Sequence, residues 1–219
     1  YLPQLAYHSY RDSDIDTYEE AVWALIKRGY YVIRMGVKVA KPMHWHTDAL
    51  WDSHVIDFSQ KYDDFMSVYL GAHCAFCLSN GCGFDAIPVI FRRPVCYVNY
   101  VPLEYLQTYH PRSLAIWKHH EKDGKRMTPA EIYASGAGHF MRAEEFAQAG
   151  ITLVDNTPEE IKEVAMEMAD RQVDGYEVID VCAQEFWQSF PRSNSKHNNR
   201  PLHGEIRMRI GAEFLRGYQ

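Results

Sequence analysis

The 219-residue chain is 47% apolar and 24% charged, the balance of a globular domain long enough to bury a core of its own. Its formal charge of −6 excludes nucleic acid as the main partner, because phosphate backbones need a basic face. A local basic patch remains compatible with one phosphorylated small molecule, and no apolar run approaches the roughly 20 residues of a membrane span.

Taken in chain order, Asp16-Thr17-Tyr18-Glu19 has the form of a capping box behind Ile15. Tyr18, Ala21, Val22, Leu25 and Ile26 then recur at helical spacing, and Gly29 is placed to stop the helix. Tyr30 to Met35 reads as a strand, Gly36 to Ser53 as a long surface loop, and His54 to Phe58 as the next strand. Tyr62 to His73 is expected to be a helix with Phe65, Val68, Tyr69 and Ala72 on its apolar face. The run Cys74 to Leu78 suits a strand covered on both sides, Phe84 to Arg92 a helix, and Val95 to Val98 another buried strand.

Beyond Asn99 the pattern weakens, with a strand expected at Leu114 to Trp117 and a polar turn at Lys122 to Lys125. Thr128-Pro129-Ala130-Glu131 and Thr157-Pro158-Glu159-Glu160 each carry a cap, Pro at the first helical position and an acid in the first turn. Between them lie a short helix, Ala143 to Gln148, and a strand, Ile151 to Val154. Helices at Tyr176 to Phe190 and Gly204 to Arg216 close the chain around a polar loop, Pro191 to Asn199. This alternation predicts an α/β fold: a Rossmann-like, mostly parallel sheet with helices on both faces over residues 1–175, and C-terminal helices over 176–219 packed on or beside it. Ligands of such sheets bind beyond the carboxyl ends of the strands.

The junction Ser79-Asn80-Gly81-Cys82-Gly83-Phe84-Asp85 therefore stands out. It follows a strand and opens a helix, and its glycines let backbone N–H groups approach a diphosphate closely. A plain tight turn, with Asp85 facing the helix dipole, accounts for the same residues. Asn99, at the end of the next strand, would point into the same crevice, or simply begin a loop. Arg11, Arg34 and Lys118 are accessory cations for phosphate or base, and Asp57 is a further crevice candidate; ion pairs and caps are their ordinary roles. His44 and His46, near His54, have a His-x-His spacing, but an exposed loop is the better reading than a metal site. Cys74 and Cys77 within one strand would face opposite sides, which argues against zinc. Five cysteines, an odd number with three of them crowded between Cys74 and Cys82, suit reduced thiols in the cytoplasm. No Ser-His-Asp order, nucleophile elbow or Walker loop is present, and neither a cofactor nor a metal is expected.

Several segments together resemble a known family. They are Tyr10-Arg11-Asp12-Ser13-Asp14-Ile15, Gly29-Tyr30-Tyr31-Val32-Ile33-Arg34-Met35-Gly36, Val55-Ile56-Asp57, Asp64-Phe65-Met66 and the stretch Gly83 to Pro94. Thr157 to Ile161 and Ile210-Gly211-Ala212-Glu213-Phe214-Leu215 continue the likeness. The series resembles a bacterial glycosyltransferase family that occurs alone or fused to helical repeats of tetratricopeptide type. The resemblance implies the C-terminal, donor-binding half of a GT-B arrangement, with the donor diphosphate held at Ser79 to Asp85 and no obligatory metal. Its implied activity is sugar transfer from a nucleotide-sugar to a glycan or related acceptor, in polysaccharide biosynthesis, in the cytoplasm or at the inner face of the membrane. Tyr1-Leu2-Pro3 reads as the middle of a longer chain, so an N-terminal domain or partner chain is expected to supply the catalytic base. A non-catalytic nucleotide-sugar-binding or scaffolding module is the alternative. A sugar epimerase or synthase would need a general-base dyad inside this domain, and none is visible in the sequence.

Overall fold

The computed structural model describes residues 3–43, 45, 48–61, 63–173, 181–191, 193–194, 200–201 and 206–218. The histidines at positions 44 and 46 lie outside these residues, as does most of the expected polar loop from Pro191 to Asn199.

The expected cap lies one short turn earlier than its sequence motif. Asp14 accepts from the Asp16 N–H and opens a 3-10 turn, Ile15–Tyr18, that runs into α1 (Glu19–Lys27). Helix α1 buries Ala21, Val22, Leu25 and Ile26, and Gly29, at φ +85°, turns the chain into β1 (Val32–Arg34). The expected loop before Ser53 contains a helix, α2 (Ala49–His54), capped by Asp48 and held by Trp51 against Trp23 and Trp45. Aromatic packing rather than 3.6-residue periodicity builds this turn, so a periodicity argument passes over it. Strand β2 (Val55–Asp57) follows and pairs parallel to β1.

Helix α3 (Asp64–His73) forms as expected, but of its expected apolar face only Ala72 is buried. Phe65, Val68 and Tyr69 are 72%, 45% and 46% exposed, whereas Ser67, Gly71 and Ala72 are buried. The small side chains let the neighbouring helix approach: a Cβ on Gly71 would stand 2.7 Å from Ile87 Cγ2. Strand β3 (Cys77–Ser79) is shorter than expected, because Cys74 caps the end of α3. A 3-10 turn, Gly83–Asp85, then leads into α4 (Ala86–Ile90), and β4 (Val95–Tyr100) is buried throughout.

Strands β5 (Leu114–Trp117) and β6 (His119–Lys122) are separated only by Lys118, and β6 turns at Asp123-Gly124 into β7 (Lys125–Arg126). Complete capping boxes, Thr128 with Glu131 and Thr157 with Glu160, start α5 (Pro129–Ser135) and the 14-residue helix α7 (Pro158–Arg171). Between these lie α6 (Ala143–Gln148) and β8 (Ile151–Val154). Helix α8 (Val181–Ser189) is followed by β9 (Ser193–Asn194) and β10 (Arg200–Pro201), which pair antiparallel. The expected terminal helix is instead a strand, β11 (Arg209–Ile210), and a short helix, α9 (Ala212–Arg216).

The central sheet is parallel, in the order β11-β5-β4-β3, so the C-terminal segment adds a strand to the main sheet. Helix α7 packs over β4 and β5 and against α1 and α9, burying Ile161, Val164, Ala165 and Met168. The fold is therefore α/β, with a Rossmann-like parallel sheet flanked by helices. Strands β1 and β2 form a small sheet of their own, and β8 pairs antiparallel to β6 rather than joining the parallel set. The bend at Lys118 takes β6 out of line with β5, and β8 covers the edge that β6 would otherwise expose.

Candidate ligand site at the carboxyl ends of the parallel strands

Ser79 is the last residue of β3, 5% exposed, and it braces the turn that follows. Its Oγ accepts from the Gly81 N–H at 3.1 Å and donates to Asp85 Oδ2 at 2.9 Å, with Cys82 Sγ 3.8 Å away. The two glycines serve different ends. Gly81 has φ +80°, and a Cβ there would stand 2.9 Å from Tyr100 Cε2, so backbone conformation and packing both demand glycine. Gly83 is exposed, and a Cβ there would meet nothing within 4 Å. Cys82 is exposed, Phe84 is half-buried, and Asp85 is 5% exposed. Burial raises the Asp85 carboxyl above the usual carboxylate range, against the opposing pull of the Ser79 hydrogen bond and the Arg11 guanidinium.

Arg11, Asn80, Asn99 and Lys118 are brought together, but around the chain's own N-terminal segment. Asn80 Nδ2 donates to the Arg11 carbonyl at 3.1 Å. Lys118 Nζ donates to the Asp12 carbonyl and pairs with Asp155 Oδ1 at 2.8 Å. Asn99 Nδ2 donates to Ser13 Oγ at 2.8 Å, and the Asp14 N–H donates to Asp155 Oδ2 at 3.3 Å. Residues 11–14 thus form a strap across the carboxyl ends of β3, β4, β5 and β8. Asn99 is 0% exposed, and both atoms of its side-chain amide are engaged. Its Oδ1 accepts from the Asn156 N–H at 2.5 Å, its own N–H donates to Asn156 Oδ1 at 2.6 Å, and its backbone sits at φ +52°, a conformation Asn tolerates.

Arg34 and Asp57 face each other across β1 and β2, apart from the central sheet. Arg34 reaches Asp57 Oδ2 at 3.4 Å and the Lys41 carbonyl at 2.8 Å, while Asp57 Oδ1 accepts from the Ser59 N–H at 3.0 Å. Their ordinary roles, ion pair and cap, account for both. Near the turn, Arg11 Nε, Tyr10 Oη and Tyr97 Oη are buried without a hydrogen-bond partner among the described residues. Burial, with Asp85 nearby, pushes the Tyr97 phenol well above its ordinary range. Among the described residues no group of His, Cys, Asp or Glu could hold a metal ion, and no helix is long and apolar enough to cross a membrane.

A pair absent from the sequence reading lies on the loop after β4. The 3-10 turns Leu103–Tyr105 and Ala137–His139 meet so that His139 Nδ1 is 3.2 Å from Glu104 Oε1. Their side chains are 11% and 6% exposed. A Cβ on Gly138 would stand 2.5 Å from Glu104 Oε1, so only glycine lets the carboxylate lie this close to the turn. The run Gly136-Ala137-Gly138-His139 is the one local sign, and nothing in it points to Glu104, 35 residues away.

Two hollows accompany these groups. One, of about 490 Å³, is bordered by Tyr10, Lys118, Phe146 and Leu153; the other, of about 350 Å³, lies between α7 and α9. Neither takes in the Ser79–Asp85 turn. No family model, curated protein or solved structure matches this chain.

Proposed function

We propose that the chain is the donor-binding half of a glycosyltransferase, holding the diphosphate of a nucleotide-sugar on the Ser79–Asp85 turn. The observation that carries the reading is Gly83: an exposed glycine at the carboxyl end of a parallel strand, facing open space, in a turn already braced by Ser79. A turn that needed glycine only for its own shape would require Gly81 alone. The orphaned Arg11 Nε supplies nearby positive charge of the kind a leaving diphosphate requires. The strap narrows the placement, because Asn80, Asn99 and Lys118 are engaged by residues 11–14, and the donor then lies against Cys82, Gly83 and Phe84. The acceptor is a glycan or related molecule.

The test is calorimetry with UDP, GDP, ADP and CMP on the wild type and Gly83→Val. The valine side chain enters empty space, so the fold stands while nucleotide affinity falls at least roughly tenfold, about 1.4 kcal/mol. Unchanged affinity in the variant removes the site. The internal pairing of Arg34, Asp57, Asn99 and Lys118 favours a second reading, binding without turnover in a scaffolding role. Release of nucleoside diphosphate from UDP-glucose, GDP-mannose or ADP-glucose separates the two.

A further inference from the structure

We infer that His139, held by Glu104, is the general base of this domain, taking the proton from the hydroxyl that attacks the donor sugar. The inference rests on the donor-site reading above and adds to it the group that the sequence leaves to another domain.

The geometry is that of an oriented imidazole. Nδ1 donates its proton to Glu104 Oε1 at 3.2 Å, which leaves the lone pair on Nε2. Nε2 has no hydrogen-bond partner among the described residues. The carboxylate is 6% exposed and pressed against Gly138, so it cannot turn away, and its charge stabilises the imidazolium that forms on proton transfer. Tyr133 Oη, buried beside this pair and without a partner among the described residues, is a further polar group left to a bound molecule. Tyr133 feels the Glu104 charge, which places the phenol within the same cluster.

Position ties the pair to the donor turn. The donor turn follows β3 and Glu104 follows β4, neighbouring parallel strands whose carboxyl ends share one edge of the sheet, while His139 is brought to Glu104 from the turn after α5. The Tyr100 ring lies between them: it blocks any Cβ on Gly81, and its Oη donates to the Tyr105 carbonyl, next to Glu104, at 2.7 Å. Tyr100 therefore bridges the two loops.

In the step, the acceptor oxygen forms its bond to the anomeric carbon and its proton passes to His139 Nε2. The bond from that carbon to the phosphate oxygen breaks, and the electron pair leaves with the nucleoside diphosphate. Water serves as acceptor in the absence of the natural one, so donor hydrolysis reports the same base.

The experiment incubates the 219-residue chain with UDP-glucose, GDP-mannose and ADP-glucose and measures released nucleoside diphosphate, with calorimetry of UDP, GDP and ADP alongside. His139→Ala is expected to keep nucleotide affinity and lose turnover roughly 100-fold or more, and added imidazole restores part of it. Glu104→Gln keeps an oxygen for the hydrogen bond but not the charge, so turnover falls while melting temperature holds. His139→Gln, a milder change, guards against misfolding of the alanine variant. Wild-type turnover in His139→Ala and His139→Gln overturns the proposal, as does a wild-type chain that binds nucleotide but releases none from any donor. Absence of nucleotide binding by the wild type is a different result, and it removes the donor-site reading together with this one.

Discussion

Gly81 and Gly83 stand two positions apart in one turn, yet alanine at each should have opposite effects on stability. At Gly81 the backbone sits at φ +80°, where a side chain costs about 1–2 kcal/mol. The new Cβ also meets Tyr100 Cε2 at 2.9 Å, and that ring is 6% exposed with its hydroxyl tied to Tyr105. Moving it aside adds the cost of overpacking, about 1–3 kcal/mol. Gly81→Ala should therefore lose about 2–5 kcal/mol. Gly83 has no contact within 4 Å and no left-handed φ, so Gly83→Ala should be neutral or gain about 0.4–1 kcal/mol by restricting the unfolded chain. Urea denaturation followed by circular dichroism and tryptophan fluorescence measures both. A Gly81→Ala loss below about 0.5 kcal/mol, or an equal loss at both positions, refutes the division of the turn into a structural glycine and an open one.

Asn99→Ala strands the buried Asn156 N–H and frees Ser13, so it should cost about 2–4 kcal/mol in the same assay and expose the N-terminal segment to limited proteolysis; unchanged cleavage rates would contradict the strap. Lys118→Met leaves Asp155 without its cation, and because that carboxylate is only 29% exposed the loss should be about 1–3 kcal/mol, read from the urea midpoint. His120 is fully buried, and burial pushes its imidazole down to about 4, with the Lys118 carbonyl opposing. Between pH 6.5 and 4 the unfolded chain binds the proton that the folded chain refuses, so stability falls as pH drops through that window, by about 3 kcal/mol in full. His120→Phe should flatten that slope; an unchanged slope assigns the acid loss to other groups.

What was legible in the sequence was whatever is written in consecutive residues. Thr128 and Thr157 announce their helices because a capping box is complete within four positions, and β4 and β5 announce themselves as buried apolar runs. Helix α3 was legible in extent and in the burial of Ala72, but Ser67 and Gly71 win the packed side by being small rather than apolar, while Phe65, Val68 and Tyr69 face outward. Strand β11 was illegible: two residues suffice once β5 offers an edge, and two residues carry no period. The Ser79–Asp85 turn was visible as a motif, but the division of labour between its glycines depends on Tyr100, a contact between strand ends. Asn99 and Lys118 were rightly placed at strand ends, yet their partners lie 86 and 106 residues away and leave no mark beside them. His139 with Glu104 was missed for the same reason.

The strap also sets an order of events during synthesis. Its anchors lie 69, 86, 106 and 141 residues further along the chain. Residues 11–14 emerge ahead of these anchors and must wait until Asp155 has left the ribosome, on the order of 10 s at ordinary rates of elongation. Arg-Asp-Ser-Asp is a composition that stays solvated through such a delay. Fastening then completes only when the ends of β3, β4, β5 and β8 stand in register. A segment made ahead of the strands it crosses is thus fastened only after their ends have come together.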